Sequence, residues 1–141
     1  MSLTFCAEKL EKAHPRLGSC LALDTSSALS VISCYDASKK VVHETTCPSP
    51  SKPSESILLS IKSCLKKAGV DLHDLEALLV GLGPGSFTGL RVGLATMKGL
   101  ALGTQIQLHG FCSLHAWALS CPADLIITLR NAQRGELFAG G

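Results

Sequence analysis

The stretch that decides the fold is ALLVGLGPGSFTGLRVGLATMKGLALG, residues 77–103, in the middle of the chain. Its apolar start, Ala77 to Leu82, is bounded by glycine and is too short for a helix, which predicts a buried strand of the parallel kind. Gly83-Pro84-Gly85 then predicts a turn, because neither a helix nor a central strand carries such a sequence. After the turn, the hydroxyl of Ser86 or Thr88 is suited to cap a new helix.

The helix predicted after this turn, roughly residues 89–102, is rich in glycine. Small residues recur at every fourth position in two rows on adjacent faces: Gly85, Gly89 and Gly93, and then Ala95, Gly99 and Gly103. Glycine inside a helix costs about 0.5–1 kcal/mol relative to alanine, so a repeated glycine needs a compensating reason. One reason is close packing of the helix on its own sheet. The other is close approach of a second backbone or of a ligand, and the residues alone leave both open.

Several familiar motifs are excluded in this stretch. Pro84, Arg91 and Lys98 interrupt the apolar run, which rules out a membrane-spanning helix. The loop does not end in Gly-Lys-Ser/Thr, so it is not a P-loop, and Thr88 stands where a dinucleotide-binding fingerprint requires its third glycine. What remains is a loop that suits an anion, followed by a glycine-rich helix with few bulky side chains on its surface.

Composition describes a compact globular protein. At 141 residues, with 46% hydrophobic and 17% charged residues, the chain is long enough for one well-packed domain and is too apolar for a disordered protein. A net charge of +2 is too small to predict nucleic-acid binding from the electrostatic field. The seven cysteines show no CxxC pairing, which favours reduced thiols in the cytoplasm over disulfides. We predict no transmembrane segment and no secretory leader.

The glycine-rich segment GPGSFTGLRVGLATMKGLALG, residues 83–103, resembles the signature of the TsaB (YeaZ) family. Members of that family are the partner subunits of TsaD in the synthesis of threonylcarbamoyladenosine on tRNA. The resemblance extends from about Cys20 to about Phe138. Near its end, the run from Asn131 to Phe138 is similar to the family's DARRGEVY segment, with Asn131 in place of the usual aspartate.

The resemblance implies the α/β fold of an actin/Hsp70-like ATPase (ribonuclease H-like) lobe. Its mixed sheet would follow the order β-β-β-α-β-α-β-α, with three antiparallel strands first and a truncated second lobe. We therefore expect an N-terminal extension at 1–18, the ATPase-like lobe at 19–124, and the start of a second lobe at 125–141.

The resemblance also implies a partner-binding surface on two helices. The first is predicted at residues 54–68, where apolar residues repeat on one face; the second is the glycine-rich helix. In the family these helices pack against the same pair in a partner, so the expected interface residues are Ile57, Ile61, Leu65, Gly85, Gly89, Gly93 and Met97. A homodimer through the same surface is expected when the partner is absent.

A nucleotide site is the second candidate. An acid followed by hydroxyls after a first strand is how the actin-like fold holds a metal–phosphate group, and the matching residues are Asp24, Thr25 and Ser26, with Gly83, Gly85 and Ser86 across from them. The alternative is a polar turn in which Asp24 accepts hydrogen bonds from backbone amides. We expect no cofactor to be required by this chain, with ATP or ADP bound, if at all, at the interface of a complex.

A catalytic metal site is not expected. The catalytic relative TsaD binds a metal through two histidines four residues apart, whereas His109 and His115 are six apart and do not share a helical face. We therefore predict a non-catalytic subunit that binds and activates a TsaD-type transferase, with a TsaE-type ATPase joining and tRNA bound only indirectly. The alternatives are an actin-like nucleotide-binding ATPase acting alone and a plain interaction module.

Overall fold

The computed structural model describes residues 18–48, 55–119, 121, 125–133 and 135–140. The predicted N-terminal extension, apart from Gly18, lies outside the described residues, as do residues 49–54.

A five-stranded mixed sheet forms the centre of the fold, with strand order β3-β2-β1-β4-β5. Strands β1, β2 and β3 are consecutive and antiparallel, and β4 and β5 then run parallel to β1. This is the predicted opening of three antiparallel strands followed by parallel ones. The bounds are β1 Cys20–Asp24, β2 Leu29–Asp36, β3 Val41–Pro48, β4 Ala77–Gly81 and β5 Gln107–Phe111.

Helices alternate with the later strands, as the two parallel pairs require. Helix α1 connects β3 to β4, α2 connects β4 to β5, and the short α3 follows β5. A separate two-stranded antiparallel sheet, β6 with β7, closes the described chain. The bounds are α1 Glu55–Ala68, α2 Phe87–Thr104, α3 Ser113–Ala118, β6 Thr128–Gln133 and β7 Glu136–Gly140.

The main core lies between one face of the sheet and helices α1 and α2. Alternate residues of β1, β2 and β4 point to this face, and both helices contribute side chains to the same buried cluster. Its largest fully buried members are Leu21, Leu23, Ile32, Ile57, Leu78, Val80 and Met97. Both helices therefore lie on the same side of the sheet.

The structure shifts the boundaries of two predicted elements. Helix α2 is longer than predicted at both ends, and Ser86 is its N-cap, accepting a hydrogen bond from the Gly89 amide. At the other end Gln105, which the pattern of residues 105–110 predicts as the start of a strand, instead adopts a left-handed conformation with φ of 63° and ends the helix. Strand β5 begins two residues later.

The cysteines that the structure describes are free, and four of them are buried. Burial raises the pKa of the Cys20 thiol to about 11 and, together with the nearby Cys64, raises that of Cys34 to about 12. These thiols stay protonated at neutral pH and act as small apolar side chains. Cys6 lies outside the described residues. Among the helices that the structure describes, none is long and apolar enough to cross a membrane.

A buried carboxylate fixes the turn between β2 and β3. Asp36 accepts hydrogen bonds from the amide and hydroxyl of Ser38, at 3.0 and 2.6 Å, and from the Lys39 ammonium at 2.7 Å. The ammonium also donates to the Ala68 carbonyl at the end of α1. The Lys39 ammonium and then the Ser38 hydroxyl hold the pKa of the Asp36 carboxyl well below its usual range. One ion pair thus joins the β2–β3 turn to the first helix.

Replacing Asp36 with asparagine should lower the free energy of unfolding at neutral pH by about 1.5–3 kcal/mol, the usual range for hydrogen bonds to a charged group. Because the folded-state pKa lies below the unfolded value of about 4, the carboxylate stabilises the fold above that pH, and its contribution is lost as the pH falls through the folded pKa. Urea unfolding of wild type and Asp36→Asn at about pH 7 and about pH 3 should therefore show a smaller difference at the lower pH. Asp74→Asn, at an exposed position, is the control. An equal difference at both pH values would contradict the assignment.

Candidate functional site

Two loops meet at the carboxyl ends of β1 and β4. The first, residues 24–27, follows β1, and the second, residues 82–86, leads into α2. The Ser86 amide donates to the Ser26 carbonyl at 2.8 Å, and the Asp24 carboxylate accepts from the Ser26 amide at 2.8 Å. We call these segments the loop pair. Every residue predicted for a nucleotide site lies in it, so the structure brings that set together.

The loop pair satisfies its own polar groups to a large extent. Asp24 forms the local turn that was the alternative to a phosphate site. The Thr25 hydroxyl is fully buried and donates to the Gly89 carbonyl at 2.8 Å, while the Gly83 carbonyl accepts from the Ser113 amide at 2.9 Å. The geometry is therefore that of a tightly hydrogen-bonded junction between two strand ends and the start of α2.

The first glycine row faces this junction. A Cβ added at Gly85 would clash with the Ser26 carbonyl, one at Gly89 with the Thr25 carbonyl, and one at Gly93 with the Thr25 hydroxyl. The loop after β1 therefore lies directly against the helix backbone, where no side chain fits. Of the two explanations left open for these glycines, close packing within the chain is the one that the structure shows.

This packing corrects the predicted partner interface. Most of the residues assigned to it lie inside the protein: Ile57, Ile61, Leu65, Gly89, Gly93 and Met97. Gly85 is partly exposed, but it faces Ser26. The four-residue periodicity did identify a common face of each helix. That face packs on the sheet and on the first loop, so its side chains are not available to a partner.

The second row of small residues has the opposite environment. Ala95, Gly99 and Gly103 are exposed, and a Cβ added at Gly99 or Gly103 would meet no atom within 4 Å. Leu102, beside this row, is 76% exposed. Nothing in the described chain requires glycine at these two positions. We call the face formed by Ala95, Gly99, Leu102 and Gly103 the outer face of α2.

Helix α1 also has an uncovered apolar side. Leu58 and Leu59 are 45% and 68% exposed, although both belong to a helix whose other leucine, Leu65, is buried. Exposed lysines, Lys62, Lys66 and Lys67, share the outward side of this helix. The two helices thus present apolar residues to solvent on the side of the sheet that they share.

Three residues near the loop pair were missed by sequence reasoning. Within the described part of the chain, the Ser113 hydroxyl is buried without a hydrogen-bond partner. It would lie 3.1 Å from a Cβ at Gly81, with the Asp24 carboxylate 2.7 Å from the same point. Arg130, from β6, reaches the loops, and its guanidinium carbon lies 5.2 Å from the centre of the Trp117 ring. The hydrogen bonds of Arg130 reach residues 46 and 104 positions away, so no local pattern could have identified them.

The two histidines considered for a metal lie on separate elements: His109 is exposed on β5 and His115 is exposed on α3. Within the described ranges, no group of three or more histidine, cysteine, aspartate or glutamate side chains is arranged to hold a metal ion.

The strand order, the two helices on one face and the acid-bearing loop after the first strand define an α/β lobe of the actin and Hsp70-like ATPase class. A family model described as TsaD, tRNA N6-adenosine threonylcarbamoyltransferase, matches residues 49–141. Relatives and a solved structure that share this fold are named TsaB or YeaZ. The chain belongs to the TsaB (YeaZ) family.

The similarity to individual proteins is moderate and covers part of each. The chain is 30% identical over 122 residues to the tRNA threonylcarbamoyladenosine biosynthesis protein TsaB of Escherichia coli, which is 84% of this chain and 52% of that protein. It is 48% identical over 77 residues to a tRNA N6-adenosine threonylcarbamoyltransferase of Nitratidesulfovibrio vulgaris, covering 55% of this chain and 21% of that protein.

The fold matches a solved structure, YeaZ from Pseudomonas aeruginosa, with a TM-score of 0.76 and 25% sequence identity. The match covers 88% of this chain and 59% of that one. The chain spans about half the length of the TsaB proteins that it matches.

The two glycine rows should respond differently to alanine. Gly93→Ala should lower the free energy of unfolding by about 1–3 kcal/mol, because the new Cβ overpacks the contact with the Thr25 hydroxyl. Gly99→Ala should raise it by about 0.5–1 kcal/mol, because the position is open and alanine is the better helix former. Urea denaturation of both variants measures the two effects, and each serves as the other's control. Equal effects of the same sign would show that the rows do not differ in packing.

Proposed function

We propose that this chain is a non-catalytic subunit in the formation of threonylcarbamoyladenosine on tRNA. It would bind a TsaD-type threonylcarbamoyl transferase and hold it in its active arrangement. Membership of the TsaB family supports this role, since named members are threonylcarbamoyladenosine biosynthesis proteins. The single observation that carries the proposal is the outer face of α2, where two glycines cost helix stability and no atom of the described chain fills the space beside them.

The outer face suits the backbone of a partner helix. Without Cβ atoms at Gly99 and Gly103, a second helix can approach closely along this row. Leu102 on the same face and Leu59 on α1 are 76% and 68% exposed, so they would supply apolar area that leaves water on binding. The proposal therefore keeps the predicted pair of helices and moves the interface to their opposite faces.

The outer face is formed by uncharged residues, but basic residues lie beside it. Arg91 and Lys98 are exposed on the same helix, and the Arg91 guanidinium lies over the ring of Phe87 at 5.4 Å. Such a rim favours a partner surface with acidic residues around an apolar centre. The same apolar face would also pair with a second copy of this chain, so we propose a homodimer as the competing assembly.

The remaining parts of the complex follow from the family role. We propose that a TsaE-type ATPase joins the assembly, that ATP or ADP binds at its interface, and that tRNA is contacted through the partners.

A nucleotide-binding ATPase acting alone is the second candidate. The convergence of Asp24, Ser26 and Gly83 in the loop pair favours it. Binding of nucleotide by the isolated chain separates this candidate from the partner role.

The partner role is tested by light scattering on a gel-filtration column, with the chain alone and mixed with the TsaD-type protein of its own organism. Wild type should form a heterocomplex. Gly99→Leu should lose it, because the leucine side chain fills the space that the partner backbone would occupy. The variant should fold normally, since position 99 is open to solvent.

Glu44→Ala, at an exposed position of the edge strand β3 and not on the outer face of α2, is the matched control and should bind like wild type. Unchanged complex formation by Gly99→Leu would contradict the proposed interface. Loss of binding in the control as well would place the contact elsewhere.

A further inference from the structure

The guanidinium of Arg130 fills a notch between the two loops. One of its terminal nitrogens, Nη1, donates to the Ser26 hydroxyl at 2.7 Å and to the Pro84 carbonyl at 3.0 Å. The other, Nη2, donates to the Ser26 carbonyl. The Trp117 ring lies 5.2 Å from the guanidinium carbon, close enough for a cation–π contact. The guanidinium is thus hydrogen-bonded to both loops, and an aromatic ring lies beside it.

The chemistry of the notch is that of a cation site. The groups that converge on it, two carbonyls and the lone pair of one hydroxyl, are all acceptors. Ser26, which supplies two of them, is only 1% exposed. A guanidinium carries its donors in a rigid planar fork and stacks on aromatic rings, so it matches this set; an ammonium has donors but neither the planar fork nor the flat face.

The same loops offer little to a phosphate in this arrangement. The Ser26 amide is taken by Asp24, the Ser86 amide by the Ser26 carbonyl, and the Gly89 amide by the Ser86 hydroxyl. These amides and hydroxyls are the groups that a nucleotide phosphate would need from the predicted site. The Ser26 hydroxyl accepts a hydrogen bond from Arg130.

We propose that the notch is a guanidinium-binding site, filled in cis by Arg130, and that this occupancy excludes nucleotide phosphate from the Asp24–Ser26 loop. Arg130 thereby latches the β6–β7 hairpin to the lobe. Release of the guanidinium would free the Ser26 hydroxyl and leave the Ser26 carbonyl with the Ser86 amide as its donor. The inference concerns the loop pair and goes beyond the proposed partner role, which uses the outer face of α2.

The only tryptophan in the sequence, Trp117, reports on the notch. Arg130→Ala should change its fluorescence emission, and methylguanidinium chloride in the millimolar range should restore the wild-type spectrum saturably. Methylammonium chloride at the same concentrations should not, because it lacks the planar fork. Arg91→Ala removes an arginine that also lies over an aromatic ring, Phe87, and should leave the spectrum unchanged. Equal rescue by both salts, or an unaltered spectrum in Arg130→Ala, would overturn the site.

Competition with nucleotide is measured by titrating a fluorescent ADP analogue with Mg²⁺ into wild type, Arg130→Ala and Arg130→Lys. Arg130→Ala should bind it at least about tenfold more tightly than wild type, which corresponds to about 1.4 kcal/mol. Weaker or unchanged binding in Arg130→Ala would overturn the competition. Far-UV circular dichroism establishes that the variant is folded. If Arg130→Ala is destabilised, Arg130→Lys, which keeps the charge and loses the planar fork, takes its place in the comparison with wild type. Gel filtration of the Arg130 variants with the TsaD-type protein tests the partner role separately from nucleotide binding.

Discussion

The structure depends on the direct contact between the loop after β1 and the backbone of α2. The Thr25 hydroxyl donates to the Gly89 carbonyl at 2.8 Å, and Gly89 and Gly93 leave no side chain between the two segments. This contact sets the distance of α2 from the sheet. It also buries Thr25 completely, and a buried hydroxyl is tolerated because its hydrogen bond is made. The start of α2 and the end of β1 are consequently one rigid unit, and the loop pair is part of it.

The energetics of the glycines separate internal from external roles. At Gly89 and Gly93 the cost of glycine in a helix is offset by packing that no other residue allows. At Gly99 and Gly103 the same cost, together about 1–2 kcal/mol, is offset by no contact in the described chain. The outer face is therefore the part of α2 where the cost of glycine has no explanation within the described chain.

The sequence predicted the fold well because its signals were local. The apolar run from Ala77, the glycine turn and the hydroxyl of Ser86 each act over a few residues, and the structure places the strand, turn and helix cap there. The inward and outward faces of α2 were not predictable in this way. Glycine has no side chain whose hydrophobicity would orient it, so two rows spaced by four residues look alike in a sequence. Met97, which shares the inner face, was the available signal, and it is fully buried.

Arg130 shows why the rest of the site could not be predicted from the sequence. Its partners Ser26 and Pro84 are 104 and 46 residues away, and an arginine within a strand pattern predicts a solvated side chain. Its effect nevertheless extends along a continuous chain of hydrogen bonds. Arg130 holds Ser26, the Ser26 carbonyl accepts from the Ser86 amide, and the Ser86 hydroxyl caps the first turn of α2. The hairpin after the main lobe is thus joined to the beginning of the helix that carries the outer face. A change in what occupies the notch would act first on the position of Ser26, and through it on the start of α2.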